Sequence, residues 1–558
     1  MEQKYLNLME KVLSAYTVEH IERYFNDVKT NGLTEHGFPR LTSNIGILIA
    51  NGRRCELRPL FVEMMDFCCK SIPNVKAAND FSVREIICCI REFEKNNAAT
   101  MYELYRWKNY LATINPETCY NVYAKTPEDK VRNWALFTGV SEFFRYKLGL
   151  CDTMEFIEIQ IASQLKWLDD NGMYSDNGAS LNHQPMVYDL VARGLFTVLL
   201  GAGYRGRYYD EIDACLKKSA LCSLKMQSVT GELAFGGRSN QFIHNEAWLA
   251  SIFEYEAVRY QKLGNSELAG KFKAAANRAL EPAAYWLAKT PISHVKNRYP
   301  FDRGYGCEKY AYFNKYMITA ASFFYTAHMF FDSSIEPLEF DDSPFVWSTS
   351  EFFHKIFARA GGYSLEFDTD GDQHYDASGL GRVHKYGAPS AVCMSLPCPT
   401  QLNYRIDIEN PMPLSLCPGI KRNGEWLFAS GEDCTYETLK TESTETSAYV
   451  KLNCIFGEKG SAVSEYTVDE NGVEIKVSGD GEIAFMLPVF DFDGAEHTVI
   501  THNGNTLVIS YDGWECRYTT DGSITGTGMK AANRSGHYLI FYAASTDSLC
   551  VKISINKK

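Results

Sequence analysis

Ile335-Glu336-Pro337-Leu338-Glu339-Phe340-Asp341-Asp342-Ser343-Pro344 divides the chain into two textures. The stretch is acidic, holds two prolines and has no apolar period, as expected of a connection between domains. Before it, apolar residues recur three and four apart in residues 6–16, 60–69, 83–93, 134–148, 156–168, 187–200, 212–224, 248–262, 268–287 and 317–329. Such spacing lines one face of a helix. Many helices with short polar connections, and no repeated motif, predict helical hairpins closed into a toroid around a cavity. After the stretch, alternation of apolar and polar residues takes over in residues 463–468, 472–477, 483–487, 498–501, 506–510 and 515–519. Asn471-Gly472, Asn503-Gly504 and Asp512-Gly513 supply the turns between these strands. The expected organisation is an (α/α) toroid over 1–335, a linker over 336–345 and an antiparallel β-sandwich over 346–558.

At 558 residues the chain is too long for one ordinary domain. Hydrophobic residues at 45% and charged residues at 22% fit a globular protein. A net charge of -13 weighs against nucleic acid as a partner. An acidic ligand would need a local basic pocket against that global field. Aromatics at 13% suit a large helical core and sugar-stacking walls equally. The first residues show no basic and apolar export signal, and no run of about 18 apolar residues suggests a membrane span. A cytoplasmic protein without a membrane partner is therefore expected, with assembly into a homo-oligomer left open. The 17 cysteines are scattered, with adjacent pairs at Cys68-Cys69 and Cys88-Cys89, and read as reduced thiols. No paired Cys-x-x-Cys motif suggests zinc, so neither a metal nor a cofactor is expected.

Three polar clusters stand out within the helical half. Asn182-His183 lies at a helix mouth, followed by Tyr188-Asp189. Gly236-Gly237-Arg238-Ser239-Asn240-Gln241-Phe242-Ile243-His244-Asn245-Glu246 concentrates neutral hydrogen-bonding groups around one arginine. Gly304-Tyr305-Gly306-Cys307-Glu308-Lys309-Tyr310 brings tyrosines next to a cation. An arginine matches a planar carboxylate, and amides with imidazoles suit sugar hydroxyls. The expected site is a pocket for an acidic sugar. Each group also has a plain alternative: a core histidine, an arginine tying a loop, tyrosines packed between hairpins. Trp248 reads as core, Asn133-Trp134 as a further candidate for the cavity wall, and the run 368–372 as a turn rather than a calcium loop.

On these residues the chain resembles the toroidal uronate polysaccharide lyases: alginate and oligoalginate lyases and the heparinase II/III-like group. Asn182-His183 with Tyr188-Asp189 looks like their Asn-His motif. The segment Arg238 to His244 looks like the one that ends in their catalytic tyrosine, and His374 or His384 matches a histidine from the start of the sheet domain. The sequence departs from the pattern at the tyrosine itself, where Phe242 or His244 stands. The resemblance implies cleavage of uronic-acid-containing oligosaccharides by β-elimination from a chain end. Asn182, His183 and Arg238 would neutralise the carboxylate, and His244 or Tyr310 would move the proton. Tyr188, Asn240, Gln241, Tyr305, His374 and His384 would bind substrate. Related toroid families hydrolyse glucuronides. In a β-glucuronidase of that kind, Glu246, Glu308, Asp189 and Asp376 would be the acid/base candidates. A non-catalytic glycan-binding protein is the third reading.

Overall fold

A computed structural model describes residues 3–431 and 434–558. Six helices form an inner ring: Gly37–Ala50, Asn79–Lys95, Trp134–Lys147, Met186–Gly201, Ile243–Lys262 and Phe313–Phe330. Each packs on the next, and the last returns to the first, so the ring is closed. Lys4–Leu13, Arg58–Ser71, Met154–Leu165, Tyr209–Met226 and Ser266–Ala288 cover its outside. One apolar core runs through both layers.

A helix buried on every side is the hardest for a periodic pattern to reveal. An outer helix buries a single stripe: Tyr5, Leu6, Met9, Val12 and Leu13 are the buried residues of Lys4–Leu13. All fourteen residues of Gly37–Ala50 are buried, including Arg40, Thr42, Ser43 and Asn44. A helix buried on every side has no polar face, and its Ile-Gly-Ile-Leu-Ile run is ambiguous between helix and strand. It is absent from the segments expected above, as are the short-striped Val18–Asn31 and Met101–Ala112.

The last inner helix ends at Phe330 and the first strand begins at Phe345. Three antiparallel sheets follow, of four, eight and five strands. Ala448–Ile455 and Ser461–Asp469, in the eight-stranded sheet, bury every second residue, as a half-covered strand should. The three sheets share one core, which includes Leu365, Val450, Ile475, Phe485 and Ile540.

Polar contacts lock the sheets to the toroid. Arg534, between Ser523–Asn533 and Gly536–Ser545, donates to the carbonyl of Gly306 at 2.7 Å. His384 faces the Ser228 hydroxyl at 2.6 Å. All seventeen cysteines are free thiols. Among the described residues, no helix is long and apolar enough to cross a membrane.

Candidate active site

A cavity of about 520 Å³ lies where the six inner helices begin. Arg40, Phe81, Trp134, Tyr188, His244 and Tyr316 each come from the first turns of a different inner helix and line it. No N-cap residue of these six helices turns its side chain onto its own first turn. The positive ends of six helix dipoles therefore converge on one space. Arg132, Arg238 and Lys315 add formal positive charge, with Arg40 beside its buried partner Glu85, against Asp176, the one carboxylate in the lining among the described residues. In an acidic protein this is a local basic pocket, and it favours an anionic ligand.

The loop that carries Arg238 is built by its glycines. Gly236 and Gly237 have φ of 129° and 73°, a region that residues with a Cβ rarely adopt. A Cβ on Gly237 would come within 2.9 Å of the Pro185 backbone. Ser239 and Gln241 also have positive φ, 58° and 64°, without being glycine. Such residues cost roughly 1–3 kcal/mol each and persist only when the surroundings hold them. The holding groups come from the next turn and from the sheets. Asp376 accepts from the Gly237 N–H at 2.9 Å, and Glu308 accepts from the Ser239 N–H at 2.6 Å. Glu308 is itself gripped by both Arg534 nitrogens, at 2.7 and 3.0 Å.

That scaffold sets Arg238 over the Tyr310 ring, with 5.3 Å between the guanidinium carbon and the ring centre. Arg238 has no ion-pair partner among the described residues, and its buried Nε has no hydrogen-bond acceptor. Burial opposes its charge, but the phenols of Tyr188 and Tyr310 more than offset this. The Tyr310 hydroxyl lies 3.1 Å from the Ser239 hydroxyl. Burial, followed by the charge of Glu308, raises the Tyr310 phenol above its ordinary value, with Arg238 opposing. Burial holds Tyr188 well above its ordinary value too. Both phenols therefore keep their protons at neutral pH. Burial, with Arg40 adding, depresses His244 to about 3, so its imidazole is neutral. Asp176 is pushed up to about 6 by burial, against hydrogen bonds from Tyr174 and Asn133.

Tyr188, Arg238, His244 and Tyr310 of the expected residues share the cavity, together with Asn133 and Trp134. The other expected residues lie outside its lining, each for a local reason. Gln184 accepts from the Asp176 N–H and donates to the Leu181 carbonyl, folding the loop so that Leu181 points inward. Asn182 is left exposed, and His183 turns toward Asp370, 3.7 Å away, which His354 approaches at the same distance. Among the described residues, no group of three or more His, Cys, Asp or Glu side chains is arranged to hold a metal ion. Asn240 donates to the Ala234 carbonyl and Gln241 to Asn240, both buried within the loop. Tyr305 stacks on Tyr299 with ring centres 3.6 Å apart. His374 is half-exposed and paired with Asp372, and His384 is buried between Ser228 and Thr230.

The four alternative carboxylates serve the framework. Arg193 forks onto Asp189 at 2.8 and 2.5 Å. Lys296 bonds Glu246 at 2.6 Å. Glu308 and Asp376 hold the Arg238 loop as described, and Asp376 is pushed up to about 8 by burial. Sequence reasoning missed Asp176, Arg40, Arg132 and Lys315. Asp176 stands in a turn-like Ser-Asp-Asn-Gly run, a setting that ordinarily faces water.

No family model and no curated protein matches the chain. Among solved structures it is similar to a mutant of the heparan sulfate lyase HepC from Pedobacter heparinus, 9% identical, with a TM-score of 0.47 over 94% of this chain and 76% of that one. It is also similar to a heparinase III with methylated lysines, at 11% identity, a TM-score of 0.49 and coverage of 93% and 77%. A further heparinase III structure is 8% identical, with a TM-score of 0.48 over 94% and 77% of the two chains.

Proposed function

We propose that the cavity holds a uronic acid unit at the end of an oligosaccharide and breaks its glycosidic link by β-elimination. The observation that carries this reading is Arg238, a half-buried guanidinium without a carboxylate partner among the described residues, fixed beside two protonated phenols in a basic pocket. A uronate carboxylate is the planar anion that such a fork fits. Neutralising it lowers the cost of negative charge on the neighbouring carbon, C5, once its proton leaves. Tyr310, which keeps its proton, protonates the leaving oxygen in this reading. Arg238 then stabilises the phenolate left behind. Trp134, Phe137, Tyr188 and Tyr316 offer the aromatic faces on which a sugar ring packs. The cavity volume is in the range of small-ligand sites, which supports attack at a chain end.

Hydrolysis is the second reading, and Asp176 is the observation that favours it, since a raised carboxyl is what a glycosidase acid requires. A glycosidase of the usual kind uses two carboxylates across the bond, and Asp176 is the only one lining the cavity among the described residues. The test is to offer glucuronate, mannuronate and galacturonate oligomers while following near-ultraviolet absorbance and reducing ends. Elimination creates an absorbing unsaturated product. New reducing ends without absorbance would overturn the reading in favour of hydrolysis.

A further inference from the structure

Resting on the elimination reading, we propose that Asp176 is the base that removes the C5 proton, with Tyr310 as the separate acid. Elimination needs both functions. Tyr310 holds its proton in the resting protein, so it cannot also take the C5 proton. His244 also lines the cavity and carries an unpartnered Nδ1, but its ring is stacked on Phe242 and set edge-on to Tyr316 and Phe323. Burial also leaves it a very weak base.

Asp176 is differently placed. It lines the cavity, and its carboxylate is oriented by neutral donors only. Asn133 donates its side-chain amide to Oδ2 at 2.8 Å and its backbone N–H to Oδ1 at 3.2 Å, and the Tyr174 hydroxyl lies 3.1 Å from Oδ1 and 2.6 Å from Gln164 Oε1, the nearer acceptor for its one proton. A carboxylate oxygen has two acceptor positions, so Oδ2 keeps one for an incoming proton. No lysine or arginine pairs with Asp176 among the described residues, whereas Asp189 and Glu308 are each taken up by an arginine fork. The charged and titratable groups around it are Arg132, Tyr174 and Tyr188. Above about pH 6 the group is anionic and ready to accept.

The step balances without a further reactant. The C5–H proton passes to Asp176, and the C5–H electron pair becomes the C4–C5 double bond. The bond from C4 to the glycosidic oxygen breaks, and that oxygen keeps the electrons and takes the Tyr310 proton. Asp176 ends protonated and Tyr310 ends as phenolate, and exchange with water restores both.

The experiment starts with the wild-type protein on the three uronate oligomers. If none yields unsaturated product, the elimination reading fails and this inference with it. Where product forms, Asp176→Asn is expected to lower kcat by about 10²–10⁴-fold with KM little changed. The wild-type acid limb of kcat/KM, expected near pH 6, should vanish from the residual activity. Turnover within tenfold of wild type, or an unmoved acid limb, would overturn the assignment and leave the elimination reading intact. Should Asp176→Asn fail to fold, Asp176→Glu reads the same point. It keeps the charge and displaces the oxygen by one methylene, so a slower rate with a shifted limb is expected, and an unchanged rate and limb would overturn the assignment.

Discussion

Helix starts in the toroid are of two kinds, capped and uncapped. Thr17, Thr100, Asn115 and Asn265 cap helices outside the inner ring, each accepting from an N–H of its own first turn. Thr100 and Glu103 form a complete reciprocal box. The six inner helices start at His36, Ala78, Asn133, Pro185, Phe242 and Tyr312, none of which caps in this way. A capped start is finished locally, because its polar groups are satisfied within four residues. An uncapped start turned toward a cavity keeps its field available to whatever enters. An uncapped start is not peculiar to the inner ring, since Lys4–Leu13, Arg58–Ser71, Met154–Leu165 and Tyr209–Met226 also lack a side-chain cap; what sets the inner six apart is that their first turns line the cavity.

The sharpest attack on this contrast is at Tyr310. Tyr310→Phe should reduce turnover of a uronate oligomer by about 10²–10⁴-fold while the melting temperature moves little. Equal loss of stability and activity would place Tyr310 with the framework instead. The next largest effect is expected from Arg534, which lies outside the cavity lining. Arg534→Ala leaves Glu308 buried without its partner, so a denaturant titration should show about 3–5 kcal/mol of destabilisation. Any loss of turnover would then act through the Ser239 N–H that Glu308 holds.

Thr100→Ala tests a capped start. Removing that cap should cost about 1 kcal/mol, with kcat unchanged. A fall in kcat beyond the loss of folded protein would show that this capped start serves the site as well as the fold. The smallest effect is expected at His183. Its side chain is about one-third exposed and faces Asp370, so His183→Ala should leave kcat within about twofold, as for a surface substitution. A severe loss in a folded variant would restore the role that the sequence resemblance implies for it.

The same contrast shows what could be read in the residues beforehand. Most helices announce themselves by a wet side and the strands after Phe345 by alternation, although Val18–Asn31 and Met101–Ala112 escape the pattern. Gly37–Ala50 announces nothing, because all of it is buried, and Arg40 goes unseen with it. Arg238 was legible because the paired glycines before it mark a backbone bent for close approach. Asp176 was not, since Ser-Asp-Asn-Gly describes a solvated turn as well as it describes a carboxylate folded inward. Asn182-His183 lies outside the cavity lining for a complementary reason. Its composition fits a site, but Gln184, an ordinary-looking neighbour, decides which way the loop faces.

The closed ring also bears on how the protein comes into being on the ribosome. Arg40 is made early, but its wall of the cavity is completed only when Phe313–Phe330 docks back onto Gly37–Ala50. The strained loop around Arg238 waits longer, because the clamp on Glu308 arrives with residue 534. Chains grow from the N-terminus and fold domain by domain. A nascent toroid can thus bury most of its core before the loop around Arg238 is held, which waits until residue 534 has emerged.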